Sequence, residues 1–200
     1  MCFATAMSYF AYLLLPFLSF RPVTFAIVLM ALIAWLLLRD RACKEKTLAV
    51  WWTVPITALI VNVHLTAVVV PMWVGALLIG AAWEQARGHG DAKRTRRYGL
   101  LLAGTIAACM ATPLLPGVIA TAWHYQAQDV MVASNVITEM QPVWRGGMAP
   151  ITLTLMALVF VFAIWNRKRL RAGEWIWLVI GALLMLRLGR FAPLFGMIAA

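Results

Sequence analysis

A chain of 200 residues that is 64% hydrophobic and 12% charged, with a mean hydropathy of +0.88, falls outside the range of water-soluble domains and reads as an integral membrane protein. Its net charge of +10 would suggest a nucleic-acid partner in a soluble chain, but most of the Lys and Arg fall in three short clusters between apolar runs, where they act as topology signals. Nucleic acid is therefore excluded as a partner, and Cys2, Cys43 and Cys109, with no CxxC spacing and no histidine beside them, imply neither a zinc site nor a disulfide framework.

A membrane-spanning helix needs about 20 largely apolar residues. In chain order the runs that qualify lie near residues 3–20, 22–38, 48–65, 67–85, 98–119, 149–165 and 175–195, the first two joined only by the Arg21-Pro22 corner. The first run lacks the basic flank of a signal peptide and stays apolar too long, so it is read as a retained span. The basic connectors are "RDRACKEK" (39–46), "RGHGDAKRTRR" (87–97) and "NRKRLRAGE" (166–174), with two spans between each and the next. All three can then share one face, which the excess of positive charge makes cytoplasmic. No repeat, low-complexity tract or soluble domain interrupts the pattern. The expected fold is all-α, a polytopic helical membrane protein with about seven transmembrane helices, forming one helical membrane domain over residues 1–200 in a bacterial cytoplasmic membrane.

Most residues able to do chemistry fall on the outward side: Asn62 and His64 in the hairpin near 61–71, His124, Asp129, Glu139 and Arg145 in the long loop 123–147, and Arg187 with Arg190 near the end. Arg187 and Arg190 are three residues apart, which on a helix gives one face and about 5–6 Å between Cβ atoms. Guanidinium groups take phosphate oxygens in a bidentate fork and do not deprotonate, so the pair suits a lipid-linked phosphate; the structural alternative is that both reach to the outer headgroups or pair with Asp129 or Glu139. Asn62 and His64, two apart, face one cavity only if the helix breaks there, and a packing histidine is the competing reading. Glu139 is a candidate general base, whereas Asp129 reads as a solvated loop residue. Carboxylates there could also bind a divalent cation, but the two acids form no recognisable metal motif, and no other cofactor is expected. Tryptophans near the run ends read as an interfacial aromatic belt.

Four stretches resemble the membrane half of the bacterial GT-C superfamily, polytopic glycosyltransferases that use polyprenyl-phosphate sugars. They are "SFRP" (19–22), "VNVHLTAVVVPMWVGALLIGAAWE" (61–84), "ATPLLPG" (111–117) with "ITEMQPVW" (137–144), and "LMLRLGRFAPLFG" (184–196). The second is similar to an Asn-x-His-Gly hairpin, with Leu65 in the glycine position. The third is similar to an Asn-Pro-Tyr-Gly turn followed by Glu-Trp-x-Pro, with Thr112 and Met140 substituted, and the fourth to Arg-x-x-Pro-Leu-Phe at Arg190, Pro193, Leu194 and Phe195. The resemblance implies a polyprenyl-phosphate-linked sugar as ligand, bound through Arg187, Arg190, Asn62 and His124, with Glu139 and His64 as candidate catalytic groups. It also implies an acidic outward loop that residues 1–21 do not contain, so the chain is expected to be a C-terminal membrane portion or a diverged relative. Two other classes compete: a small transporter or channel subunit, and a non-catalytic membrane assembly protein. Few charges at membrane depth and no repeated Gly/Pro-interrupted pair argue against the transporter.

Overall fold

The computed structural model describes residues 22–113, 117, 120, 143–145, 149–187 and 195, and among these every regular element is helical. The helices are α1 (Pro22–Ala42), α2 (Thr53–Val61), α3 (Val69–Ala86), α4 (Ala92–Met110), α5 (Ala149–Trp165) and α6 (Ala172–Arg187), with 3₁₀ turns at Leu48–Trp52, Leu65–Val68 and Val143–Arg145. Each apolar run from residue 22 onward overlaps one of these helices, and the run 3–20 lies outside the described residues. Two helical stretches, Pro22–Ala42 and Leu65–Ala86, are long and apolar enough to cross a membrane, while Leu48–Val61 and Ala149–Trp165 are apolar but shorter.

Proline placement explains several starts. Pro22, Pro55, Pro71 and Pro150 all fall in the first turn of a helix, where the missing N–H has no intrahelical partner to lose. The boundaries of α4 differ from the apolar run 98–119 at both ends. Asp91 caps the helix by accepting the Lys93 N–H at 2.9 Å, so the helix begins inside the basic connector and carries Lys93, Arg94, Arg96 and Arg97 in its first turns. It stops at Met110, just before the segment carrying Pro113, which disfavours helical geometry at Thr112.

Two compact units make up the chain. The first comprises Phe17–Leu115 and Arg171–Trp177, and so holds α1 to α4 and the start of α6. Within it α4 packs along α2 and α3, and α1 packs against α2. Its core is Met30, Ile33 and Leu37 from α1, Ile60 from α2, Val70 and Trp73 from α3, Leu101 from α4 and Trp177 from α6. Phe25, Val28, Leu32 and Trp35, spaced three to four apart on α1, are exposed while Ile27, Met30 and Ile33 are buried, so this helix is apolar all round. Only 39% of the apolar window of Pro22–Ala42 and 50% of that of Leu65–Ala86 is buried, which leaves a broad apolar surface outward. The second unit comprises Met1–Pro16, Pro116–Leu170 and Leu178–Ala200; among its described residues Ala149, Thr152, Ala163, Leu178, Ala182, Met185 and Phe195 are buried.

The start of α6 reaches α3 through two glycines. A Cβ on Gly80 would overlap the Gly173 backbone, and one on Gly173 would stand 3.0 Å from Leu77 Cα. On the same face of α3, one turn beyond Gly80, Glu84 Oε1 accepts the Ala172 N–H at 3.0 Å. Two turns before it, Trp73 packs on Trp177 with ring centroids 5.2 Å apart at 53°.

Candidate functional site

The polar groups of the first unit collect at its two ends. At one end the helix break that would let Asn62 and His64 share a cavity is present: α2 stops at Val61, and His64 adopts an extended backbone (φ −157°, ψ 142°) that caps the Leu65–Val68 turn. Both side chains are engaged in holding that break. Asn62 Nδ2 donates to Ala58 O at 2.7 Å and to Ala111 O at 3.3 Å, tying the end of α2 to the end of α4. His64 Nδ1 accepts the Thr66 N–H at 3.2 Å and lies 3.1 Å from Thr66 Oγ1. Cys109 Sγ reaches Ala67 O at 3.7 Å across the same junction.

Arg187 closes α6 in the second unit, where it is exposed and pairs with no acid among the described residues. A cation in the last turn also complements the helix dipole. Glu139, His124 and Arg190 lie outside the described residues. Among those described, no group of three or more His, Cys, Asp or Glu residues is placed to hold a metal ion, and Cys43 and Cys109 are free thiols.

The other end of the first unit holds an ionic cluster that topology reasoning passed over. Asp40, with no exposed surface at the end of α1, takes Arg97 of α4 in a fork: Nη2 to Oδ1 at 2.8 Å and Nε to Oδ2 at 3.2 Å. Thr47 adds its N–H at 3.0 Å and its hydroxyl at 2.6 Å to Oδ1, and Arg97 also donates to Thr47 O. Glu45 pairs with Arg171, Glu84 with Arg94, and Glu174 with Arg41. Glu174 also accepts the Arg171 N–H at 2.9 Å, a reach back from the third helical position that caps α6. Lys44 and Glu45 take the left-handed conformation, both with φ 57°, and so turn the first connector back across the cluster. Residues of all three basic connectors therefore meet at one end of these helices. The signal was in the sequence: of seven acids, Asp40, Glu45, Glu84, Asp91 and Glu174 lie in or beside basic connectors, too close to opposite charges to be counted as mere solvation.

A cavity of about 20 Å³, the space of one water molecule, lies within the cluster among Leu37, Leu77, Glu84, Arg94, Glu174 and Trp177. Neither Trp177 Nε1 nor Glu174 Oε1 has a hydrogen-bond partner there, although Oε1 faces Arg41 as an ion pair. Burial pushes the Glu174 carboxyl above its ordinary value, against the opposing effects of the Arg171 N–H and the Arg41 and Arg171 charges. A carboxyl that holds its proton more tightly when folded contributes stability below its unfolded value, and that contribution is lost as pH rises through the folded one. Thermal unfolding in detergent should show wild type losing stability relative to Glu174→Gln as pH rises from the ordinary 4.5 toward neutrality. A difference between the two that is flat with pH would refute this.

No family model, curated protein or solved structure matches the chain.

Proposed function

We propose that the chain is a GT-C-like integral membrane protein of a bacterial cytoplasmic membrane, with about seven spans, whose outward face holds the phosphate of a polyprenyl-linked sugar for glycosyl transfer. The membrane placement is supported by the all-round apolar surface of α1 and by the two helical stretches of sufficient length. The orientation is supported by the meeting of the three basic connectors, since an even number of crossings must separate them.

The observation that carries the ligand is Arg187. Arg187 is exposed and has no carboxylate among the described residues, and unlike other exposed arginines without one, such as Arg39, Arg87 and Arg96, it lies at the end of a helix outside the basic connectors. An arginine in apolar surroundings favours an anionic partner, and a phosphate bridging Arg187 and Arg190 would supply one. Asn62 and His124 are proposed to line the same outward face, with Glu139 and His64 as the groups for proton transfer. Asn62 and His64 would serve it by holding the hairpin in shape as well as by facing the ligand.

Binding of a labelled polyprenyl phosphate to the purified protein in detergent tests this. Arg187→Ala and Arg190→Ala should each weaken binding by about tenfold or more, the worth of one charge-assisted hydrogen bond. The lysine variants, which keep the charge and lose the fork, should fall between. Equal affinity in all variants would make both arginines interfacial anchors and would favour a non-catalytic assembly role.

A further inference from the structure

The ionic cluster neutralises itself: four arginines face four carboxylates, so its cavity offers no net charge to an anion. Outside it, Arg39, Lys44, Lys46, Arg87, Lys93 and Arg96 are all exposed and pair with no acid among the described residues. The one further described acid nearby, Asp91, is occupied as the cap of α4. Since the Asp40–Arg97 fork locks the first connector to the second, these six bases belong to one surface.

Two of them are set at a defined depth. Arg39 lies over the Trp35 ring, 4.9 Å from its centroid, and Arg87 over the Trp83 ring at 4.4 Å. Each tryptophan is one helical turn before its arginine and half exposed. An indole prefers the boundary between acyl chains and headgroups, so a guanidinium stacked on it one turn toward the connector stands at phosphate level. A base free of carboxylates at that level is matched by a headgroup with net negative charge rather than by a zwitterion, whose amine cancels its phosphate.

We propose that this surface selectively binds anionic phospholipid headgroups of the phosphatidylglycerol type. The proposal rests on the membrane reading above. It predicts a shell of anionic lipid around the connector end that the neutral cluster beneath it would not hold.

The test is tryptophan quenching in nanodiscs of phosphatidylcholine containing a minor fraction of lipid with brominated chains, carried on either phosphatidylglycerol or phosphatidylcholine. Brominated phosphatidylglycerol should quench as if enriched about fivefold beside the protein, the factor that a single surface base contributes. High salt should reduce the enrichment. R39Q/R87Q/R96Q should bring the two lipids toward parity without changing thermal unfolding, while R39K/R87K/R96K should keep the selectivity. If neither brominated lipid quenches, the membrane reading itself fails. If both quench equally in wild type, the helices lie in lipid and the headgroup proposal is overturned. Selectivity that survives R39Q/R87Q/R96Q overturns it too, by placing the lipid elsewhere.

Discussion

Replacing Arg97 by leucine should lower the stability of the protein in detergent by about 3–5 kcal/mol, because it leaves a buried carboxylate without its countercharge. Asp40 has no exposed surface, and Arg97 supplies both arms of the fork as well as a bond to Thr47 O. Thr47→Val removes only one hydroxyl bond to Oδ1 and should cost about 1 kcal/mol. The double variant Asp40→Asn with Arg97→Gln should recover much of the loss, since a neutral amide no longer carries a desolvated charge. Chemical unfolding of wild type, Asp40→Asn, Arg97→Gln and the double variant yields the coupling directly. Additive effects at the two positions would mean that the fork contributes nothing specific.

The second large effect is expected at Gly80. In an aqueous helix Gly→Ala gains up to about 1 kcal/mol, and Gly75→Ala, where an added Cβ meets nothing within 4 Å, should show a gain of that sign. Gly80→Ala should instead cost about 1–3 kcal/mol or more, because the added methyl meets the Gly173 backbone, which has no rotamer to change. The displacement would also strain the Glu84 bond to Ala172 N–H and the packing of Trp73 on Trp177, which lie along the same face of α3. Near-ultraviolet circular dichroism, sensitive to the tryptophan pair, should therefore change in Gly80→Ala and not in Gly75→Ala. Matching stabilities and spectra in the two variants would rule out the close approach of α3 and α6.

Hydropathy located the helices because an apolar run needs no partner to be recognised; α1, α3 and α5 fall where composition puts them. It placed the ends of α4 poorly, since the start depends on one cap, Asp91, amid helix-forming basic residues, and the stop on Pro113. The break at Asn62 and His64 was legible as a condition, but the partners that fill it, Ala58, Ala111 and Thr66, were not, because they are backbone groups and a nearby hydroxyl with no signature in sequence. The ionic cluster went unread for a different reason. A charge in a connector serves topology whether or not it is paired, and pairing is decided by which connectors converge in space.

That convergence has a temporal side. Asp40 meets its partner 57 residues later in the chain, and Glu45 waits 126 residues for Arg171. At the usual pace of synthesis the second interval is on the order of ten seconds. Once Arg97 has been made, the first connector is held to the second by the Asp40 fork, while Glu45 and the Glu84 oxygen that receives Ala172 have yet to meet their last partners. Arrival of "RAGE", residues 171–174, closes them together. The last pairs to form are thus a check on assembly, available only to a chain whose earlier connectors have already converged at one end of these helices.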